Sequence, residues 1–232
     1  QTRQSRTRQV LRDLSVRFPI GQLTVIVGRS GCGKSTLLKL LAGKEQPDAG
    51  QIDMPQGWHS ALLSPDPYVI TWTNVQRNVA MACGVGKTPE ERYEKAAEFV
   101  RLVGLQDYAD LTPAELSTGM KQRLGLARVL ASQAQLLLMD EPFASLDFLT
   151  RGELQSQLLA IQKKLPRTIV LVTHQLEEAL LLGQKIVVMH PDSTIREFDL
   201  SALPYPRDVE QPALRALKAE ITDECRKPTA SE

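Results

Sequence analysis

The sequence predicts an α/β domain built around a largely parallel sheet, and two observations carry this prediction. Short apolar runs of strand length alternate with segments whose apolar residues repeat at helical spacing. A glycine-rich turn also joins the first apolar run, 23–27, to a helical pattern that begins at Lys34. With 232 residues, of which 42% are apolar, the chain is long enough to enclose a full hydrophobic core.

Composition and charge narrow the functional classes. The 28 Lys and Arg residues nearly balance the 27 Asp and Glu residues, which removes the main electrostatic argument for nucleic acid, and we expect no such partner. No apolar run approaches the roughly 18 residues of a membrane span. The three cysteines form no CxxC pair, which favours a reducing compartment. Gln1 rather than Met stands first, and nothing resembles a signal peptide.

A helical lobe is predicted in the middle of the chain. Apolar residues recur there at helical spacing, namely Val75, Val79 and Ala82. Thr88 is followed by a proline and, three positions on, by Glu91, the order of a capping box with proline at the first helical position. Another helical pattern follows Gly119.

The sheet is predicted to resume after this lobe, with strands at 136–139, 168–172 and 185–189 separated by helices. We expect a single domain in which residues 1–71 and 131–202 form the α/β core, 72–130 the helical lobe, and 203–232 a C-terminal tail. A short docking helix is expected in this tail from about Pro212.

The turn after the first strand carries the strongest chemical signal. Residues 28–36 read GRSGCGKST and fulfil the phosphate-loop pattern G-x-x-x-x-G-K-[ST]. Glycines let backbone N–H groups approach phosphate oxygens, and a helix start favours an anion. Lys34 is expected to reach the β- and γ-phosphates of ATP, and Ser35 to bind Mg²⁺. The residues expected at the nucleotide are Gly28, Arg29, Ser30, Gly31, Cys32, Gly33, Lys34, Ser35 and Thr36.

Two carboxylates follow the apolar strand 136–139. Asp140 suits a second Mg²⁺ contact at the end of that strand, and Glu141 could orient or deprotonate the attacking water. His174 follows another apolar strand and should emerge at the same edge of the sheet. On this evidence alone, a structural role for His174 is an equal alternative to a catalytic one.

The order of these motifs resembles that of ATP-binding-cassette (ABC) ATPases over nearly the whole chain. LSTGMKQR at 116–123 is similar to the family signature, DEPFASLD at 140–147 to its Walker B strand and D-loop, and VTHQLEEA at 172–179 to its switch-histidine segment. The resemblance implies a P-loop NTPase fold. It would have a RecA-like α/β core, an N-terminal antiparallel β portion and an inserted helical subdomain.

The resemblance also implies a head-to-tail dimer that holds two ATP molecules. Each ATP would lie between the phosphate loop of one protomer and Ser117 and Gly119 of the other, with Asp147 at the dimer seam. In this arrangement the catalytic residues are Lys34, Glu141 and His174, and the metal ligands are Ser35 and Asp140.

Four sequence segments most resemble those of the nitrate, sulfonate and taurine importers. They are GRSGCGKSTLLKLLAG, TWTNVQRNV, DEPFASLDFLTR and YPRD. This implies ATP-driven uptake of a small anion such as nitrate, sulfonate, taurine or bicarbonate. The implied partners are transmembrane permease subunits and, indirectly, a periplasmic or extracellular solute-binding protein, with the chain at the cytoplasmic face of the membrane. The alternative is a soluble ABC-type ATPase of DNA repair or assembly scaffolds, but the zinc modules or coiled-coil arms of that class are absent.

Three departures from the family pattern are visible. The position of the family's Q-loop glutamine falls at Pro65, and Asp66 is the nearest candidate substitute. No aromatic residue that could stack on adenine precedes Phe18. The signature has Thr118 for glycine and Met120 for glutamine, and we expect these two residues to slow closure of the site.

An apolar segment joins the α/β body to the helical lobe and consists of Tyr68, Val69, Ile70 and Trp72. We expect it to bind the membrane partner, because exposed aromatic residues are frequent anchors at interfaces. A place in the local core is the alternative.

Overall fold

The computed structural model describes residues 9–227, whose centre is a six-stranded sheet. The strands are β1 (Leu23–Val27), β2 (Ser60–Leu63), β3 (Leu136–Asp140), β4 (Thr168–Val172), β5 (Lys185–Met189) and β6 (Ile195–Asp199). Their order is β2-β3-β4-β1-β5-β6, with every neighbouring pair parallel except the antiparallel edge pair β5 and β6. The predicted α/β class is therefore confirmed.

Seven α-helices lie in the described residues: α1 (Lys34–Leu41), α2 (Val75–Ala82), α3 (Pro89–Leu102), α4 (Thr118–Ala131), α5 (Phe148–Lys164), α6 (Leu176–Leu182) and α7 (Pro212–Arg226). Side-chain caps begin several of them. The Thr88 hydroxyl accepts from the backbone N–H of Glu91 at 3.2 Å, as the capping-box order predicts. Helices α2, α3 and α4 pack against one another, as expected for the middle of the chain.

Strands β1, β3 and β4 are buried on both faces, which explains why they are continuous apolar runs. Side chains of β1 alternate between two cores. Val25 belongs to a larger cluster with α4 and α6, whereas Ile26 belongs to a smaller one with Leu37 and Leu38 of α1. This packing holds the strand ends, and the loops that leave them, in fixed positions.

The antiparallel β portion expected near the N-terminus does not form in residues 9–22, which contain no strand. Leu11, Val16 and Phe18 pack half-buried onto the smaller cluster, but no described strand lies beside this stretch to accept its backbone hydrogen bonds. The antiparallel strand of the sheet is β6 instead. Residues 1–8 of the expected core and 228–232 of the tail lie outside the described residues.

The tail helix α7 docks as expected, against α6 and β5. Leu214 and Ile221 are buried on one face of α7. Glu224 is also buried and bonds to the His190 ring at 3.2 Å and to Arg196 at 3.0 Å. Within residues 9–227, none of the helices combines the length and hydropathy that a membrane crossing requires.

Candidate nucleotide-binding site

The candidate site lies where the carboxyl ends of parallel strands meet. Ile26 of β1 and Asp140 of β3 both pair with Val172 of β4, so the residues that follow these strands emerge side by side. A cavity of about 440 Å³ opens at this edge, within the size range of small-molecule sites. Its lining includes Ser30, Gly31, Gly33, Lys34, Ser35, Thr36, Asp140 and Glu141.

The phosphate loop requires glycine at two of its positions. A Cβ at Gly28 would lie 2.2 Å from the Met189 backbone oxygen, because the loop crosses the end of β5 closely. Gly33 has a φ of 101° and directly precedes α1. A Cβ at Gly33 would also meet Leu11 at 2.5 Å. Both glycines therefore keep the loop close to the protein body and its backbone open towards the cavity.

Lys34 folds back over the loop that precedes it. Its ammonium donates to the carbonyl oxygens of Gly28 and Arg29 at 2.8 and 3.0 Å. These bonds place a positive charge at the cavity wall beside the N-terminus of α1, which carries a partial positive charge itself. The combination favours a multiply charged anion.

Asp140 ends β3 beside Ser35 in the cavity wall. Burial raises the pKa of Asp140, a side-chain hydrogen bond with Ser35 offsets part of that rise, and the charge of Glu141 adds to it. A nearby cation would lower the pKa of Asp140 again, because it favours the charged form. The two side chains offer the oxygen ligands that Mg²⁺ prefers.

Glu141, which lines the cavity, forms a close pair with His174, which does not. The His174 Nδ1 atom lies 2.9 and 2.8 Å from the two carboxylate oxygens of Glu141. Glu141 has a φ of 52°, a strained value for a residue with a side chain, and its N–H bonds to the Val172 carbonyl at 3.0 Å. The strained turn after β3 therefore brings the carboxylate next to the histidine.

Not every residue that the motifs predict lines this cavity. Gly28, Arg29 and Cys32 belong to the loop but not to the lining. His174 is not part of the lining either and reaches it only through its contact with Glu141. Ser117 and Gly119 also lie elsewhere, at the start of α4, where the Ser117 hydroxyl accepts from the Met120 N–H at 3.3 Å.

The cavity is also lined by residues that were not predicted from the sequence. Gln9, Val10 and Pro191 contribute to it. Pro191 could have been found, because it follows the predicted strand β5 at the same sheet edge. Val10 lies in a stretch without periodicity and is brought to the cavity by packing beside Gly33. Pro65 also lines the cavity, whereas the exposed Asp66 does not, so the structure gives Asp66 no place in the site as the substitute.

The residues of the apolar segment before the helical lobe differ in their exposure to solvent. Tyr68 and Trp72 are 76% and 77% exposed, whereas Ile70 is buried. The local-core alternative therefore holds for Ile70 and for the half-buried Val69, which packs against the larger core cluster. Tyr68 borders a groove of about 290 Å³ that lies between β2 and α4 and is also lined by Lys44 and Arg128.

The chain is similar to proteins of known class. Residues 11–144 match the family model described as ABC transporter. The chain is 44% identical over 191 residues to the taurine import ATP-binding protein TauB of Pseudomonas aeruginosa (strain UCBPP-PA14), covering 78% of this chain and 72% of that protein. It is 40% identical over 215 residues to the aliphatic sulfonates import ATP-binding protein SsuB of Rhodopseudomonas palustris (strain BisA53), covering 91% and 76%.

A solved structure has the same fold. It is the dimeric structure of a post-hydrolysis state of the ATP-binding cassette MJ0796 bound to ADP and Pi. The TM-score is 0.74 at 25% identity, and the match covers 82% of this chain and 90% of that one.

Proposed function

Because the chain belongs to the ABC transporter family of ATP-binding cassettes, we propose that it is the ATP-hydrolysing subunit of an importer for a small anion. The observation that carries the hydrolytic part is the position of Glu141, which lines the cavity together with Lys34 and Asp140 and is bonded to His174. Nitrate, a sulfonate, taurine and bicarbonate are the candidate solutes.

We assign the phosphates of ATP to the loop between β1 and α1. Backbone N–H groups and the Lys34 ammonium would hold the β- and γ-phosphates. Ser35 and Asp140 fit Mg²⁺, since both present oxygen atoms in the same wall. In residues 9–227 no three His, Cys, Asp or Glu side chains lie together as a metal site. Further ligands beside Ser35 and Asp140 would be phosphate oxygens and water. Bound Mg²⁺ would neutralise charge on the phosphates.

Hydrolysis follows from the geometry of Glu141 and His174. Glu141 accepts a proton from a water molecule while the water oxygen forms a bond to the γ-phosphorus. The bond from that phosphorus to the bridging oxygen breaks, and ADP and phosphate leave. His174 holds the Glu141 carboxylate through Nδ1 and thereby orients the base.

The complete site requires a second protomer. Ser117 and Gly119 are exposed or half-exposed and lie outside the cavity of their own chain, so we assign them to the γ-phosphate in the partner's site. We also propose that residues 1–71 and 131–202 act as the catalytic core, 72–130 as the lobe that carries the signature, and 203–232 as the tail.

Glu141→Gln tests this assignment. The amide can hold a water molecule but cannot take its proton, so ATP should bind normally while hydrolysis falls by about a hundredfold or more. An ATP-bound dimer should accumulate and be visible by size-exclusion chromatography with light scattering. The exposed Glu153 provides the matched control, as Glu153→Gln. Turnover of Glu141→Gln at the parent rate would show that another group is the base.

The groove beside Tyr68 is our candidate surface for the transmembrane permease. It joins an exposed aromatic ring to the charged side chains of Lys44 and Arg128, and it lies between the sheet and the helix that begins with the signature. Movement of a permease loop there would reach α4 directly. We propose that the chain works from this surface at the cytoplasmic face of the membrane, with a solute-binding protein acting on the opposite side of the permease.

Cross-linking tests the surface. Tyr68→Cys in a Cys225→Ser background should form an adduct with a cysteine in a permease loop in the assembled complex, because Cys32 and Cys83 are buried. Leu165→Cys is the control. Leu165 is 63% exposed and lies just before β4, on the side of the sheet where the parallel strands begin, opposite to the side of Tyr68. Absence of a Tyr68→Cys adduct in every nucleotide state, or equal labelling of both positions, would reject the groove.

A further inference from the structure

His174 lies in a segment held from one neighbouring helix. The switch segment is Thr173–Gln175, and α5 presents Arg151 and Gln155 one turn apart beside it. The Arg151 Nη1 atom donates to the Gln175 side-chain oxygen at 2.9 Å. Side chains that bond on both sides of a residue restrict its backbone, so α5 can determine where the His174 ring points.

The second anchor of the switch segment is a buried carboxyl group. Glu178 is 3% exposed and accepts from the Gln155 Nε2 atom at 2.9 Å. The Thr173 hydroxyl accepts from the Gln175 N–H at 3.1 Å and also interacts with the Glu178 carboxyl group. Gln155 therefore reaches the switch segment through Glu178, whereas Arg151 reaches it directly.

Arg151 also reaches the D-loop. We call the D-loop residues Phe143–Asp147 the seam loop. The Leu146 carbonyl of this loop accepts a hydrogen bond from the Arg151 Nη2 atom at 2.9 Å. Each arm of one planar guanidinium thus bonds to a different segment. Because the guanidinium is planar and rigid, it links the Leu146 carbonyl to the Gln175 side chain through a single group.

The seam loop in turn contacts the signature. A Cβ at Gly119 would lie 3.2 Å from the Ser145 carbonyl, which places the start of α4 against the seam loop. A continuous series of contacts therefore runs from Gly119 through the seam loop and Arg151 to Gln175, and from there to His174 beside Glu141. Such a series lies entirely within one protomer.

We propose that Arg151 is a positioning residue for His174, which ties the orientation of the histidine to the seam loop. The proposal rests on the hydrolytic role proposed above for the Glu141–His174 pair. In a dimer, a displacement of the seam loop at the interface would move Leu146, and through Arg151 the switch segment, without any change in the phosphate loop.

Arg151→Met is the principal variant, because it keeps much of the side-chain volume and removes both bonds. We expect the kcat for ATP hydrolysis by the full chain to fall about tenfold, the typical effect of losing a charge-assisted hydrogen bond. The KM for ATP should change less than about twofold, since Arg151 does not line the cavity. Arg151→Lys can keep one of the two bonds and should show an intermediate loss. Glu153→Ala, an exposed position on α5, is the matched control and should leave kcat unchanged.

A double-mutant cycle with His174→Ala separates positioning from general destabilisation. If Arg151 acts through His174, Arg151→Met should have no further effect on kcat once His174 is alanine. An equal loss in both backgrounds would overturn the proposal while leaving the role of His174 intact. Unchanged hydrolysis in His174→Ala would instead overturn the proposed role of the Glu141–His174 pair, and the inference with it.

Gln175 provides a second route if Arg151→Met fails to fold. Gln175→Ala removes the acceptor and leaves the bond to Leu146 in place, so kcat should again fall with KM nearly unchanged. Gln175→Glu keeps an acceptor oxygen for the guanidinium and should retain most of the activity. Equal losses in the two variants would contradict the proposed contact.

Discussion

Two regions of the molecule are built in different ways. One is the strand-end region, which contains Lys34, Asp140 and Glu141, and the other is the signature at the start of α4. Parallel strands bring Lys34, Asp140 and Glu141 to one cavity within a single chain. Ser117 is exposed and its hydroxyl caps its own helix. The sheet therefore completes the first region, whereas we propose that the second acts only together with another protomer.

The largest effect should follow from removal of the charge in the strand-end region. Lys34→Ala should reduce ATP turnover by about a hundredfold or more, because one preorganised donor at the transferred phosphate is worth that much. Nucleotide affinity of the isolated chain should fall as well. Isothermal titration and a phosphate-release assay measure the two effects, and Lys39→Ala, on the same helix but outside the cavity lining, is the control. Parent-level hydrolysis would reject the phosphate-loop assignment.

The signature should respond differently. Ser117→Ala should leave nucleotide affinity of the isolated chain unchanged, while hydrolysis by the dimer falls about tenfold through loss of one hydrogen bond to the γ-phosphate. The variant also loses a helix cap, which costs about 1 kcal/mol of stability. Thr88→Ala removes a comparable cap from α3 and controls for that cost. If Ser117→Ala weakened nucleotide binding by the monomer, the comparison between the two regions would fail.

The altered signature residues should have a smaller effect. Thr118 is the exposed first residue of α4 and its φ is not positive, so its backbone conformation does not require glycine. The remaining effect of the Thr118 and Met120 side chains is steric crowding against the partner protomer. Thr118→Gly combined with Met120→Gln should raise hydrolysis by about twofold to fivefold, a barrier change of less than 1 kcal/mol. Equal or lower activity in a folded double variant would show that these side chains do not limit closure.

The smallest effect concerns the stability of the fold around Glu178, a buried residue of α6. Burial raises the pKa of Glu178, Thr173 and Gln155 lower it in part, and Glu141 raises it further. A raised pKa means that the folded state binds the proton more tightly, so this group stabilises the fold at acidic pH. The stabilisation is lost as the pH rises through the folded-state pKa.

Glu178→Gln mimics the neutral acid and keeps an acceptor for Gln155. Its melting temperature should exceed that of the parent at pH 8, and the difference should shrink as the pH falls towards 4. Thermal unfolding across this range measures the trend, with the exposed Glu177→Gln as control. A difference that is independent of pH would show that Glu178 is charged at no cost in the folded protein.

The sequence predicted the strand-end region well for a physical reason. Lys34, Asp140 and Glu141 follow apolar strands that end at the same edge of the sheet, so local pattern and sheet topology together bring them to one cavity. His174 follows β4 and contacts Glu141. The short strand β2 was not identified because its four residues carry no distinctive pattern. Strand β6 was not identified because a single one of its residues, Phe198, is buried.

Contacts that span many residues could not be predicted from the sequence. Arg151 bonds to Gln175 across 24 positions, and nothing in the spacing indicates that contact. Val10 reaches the cavity because an irregular stretch packs on the core beside α1. The assignment of Ser117 to another protomer came from resemblance to the family, and the structure adds that Ser117 lies outside the cavity of its own chain.

Mixing two inactive variants tests the central claim most directly. Lys34→Ala keeps an intact signature, and Ser117→Arg keeps an intact phosphate loop while blocking the signature. If each site combines one phosphate loop with the signature of the partner, the mixed dimer contains one site with no defect. Hydrolysis by an equimolar mixture should then clearly exceed that of either variant alone. A mixture no more active than its components would contradict an ATP site shared between two chains.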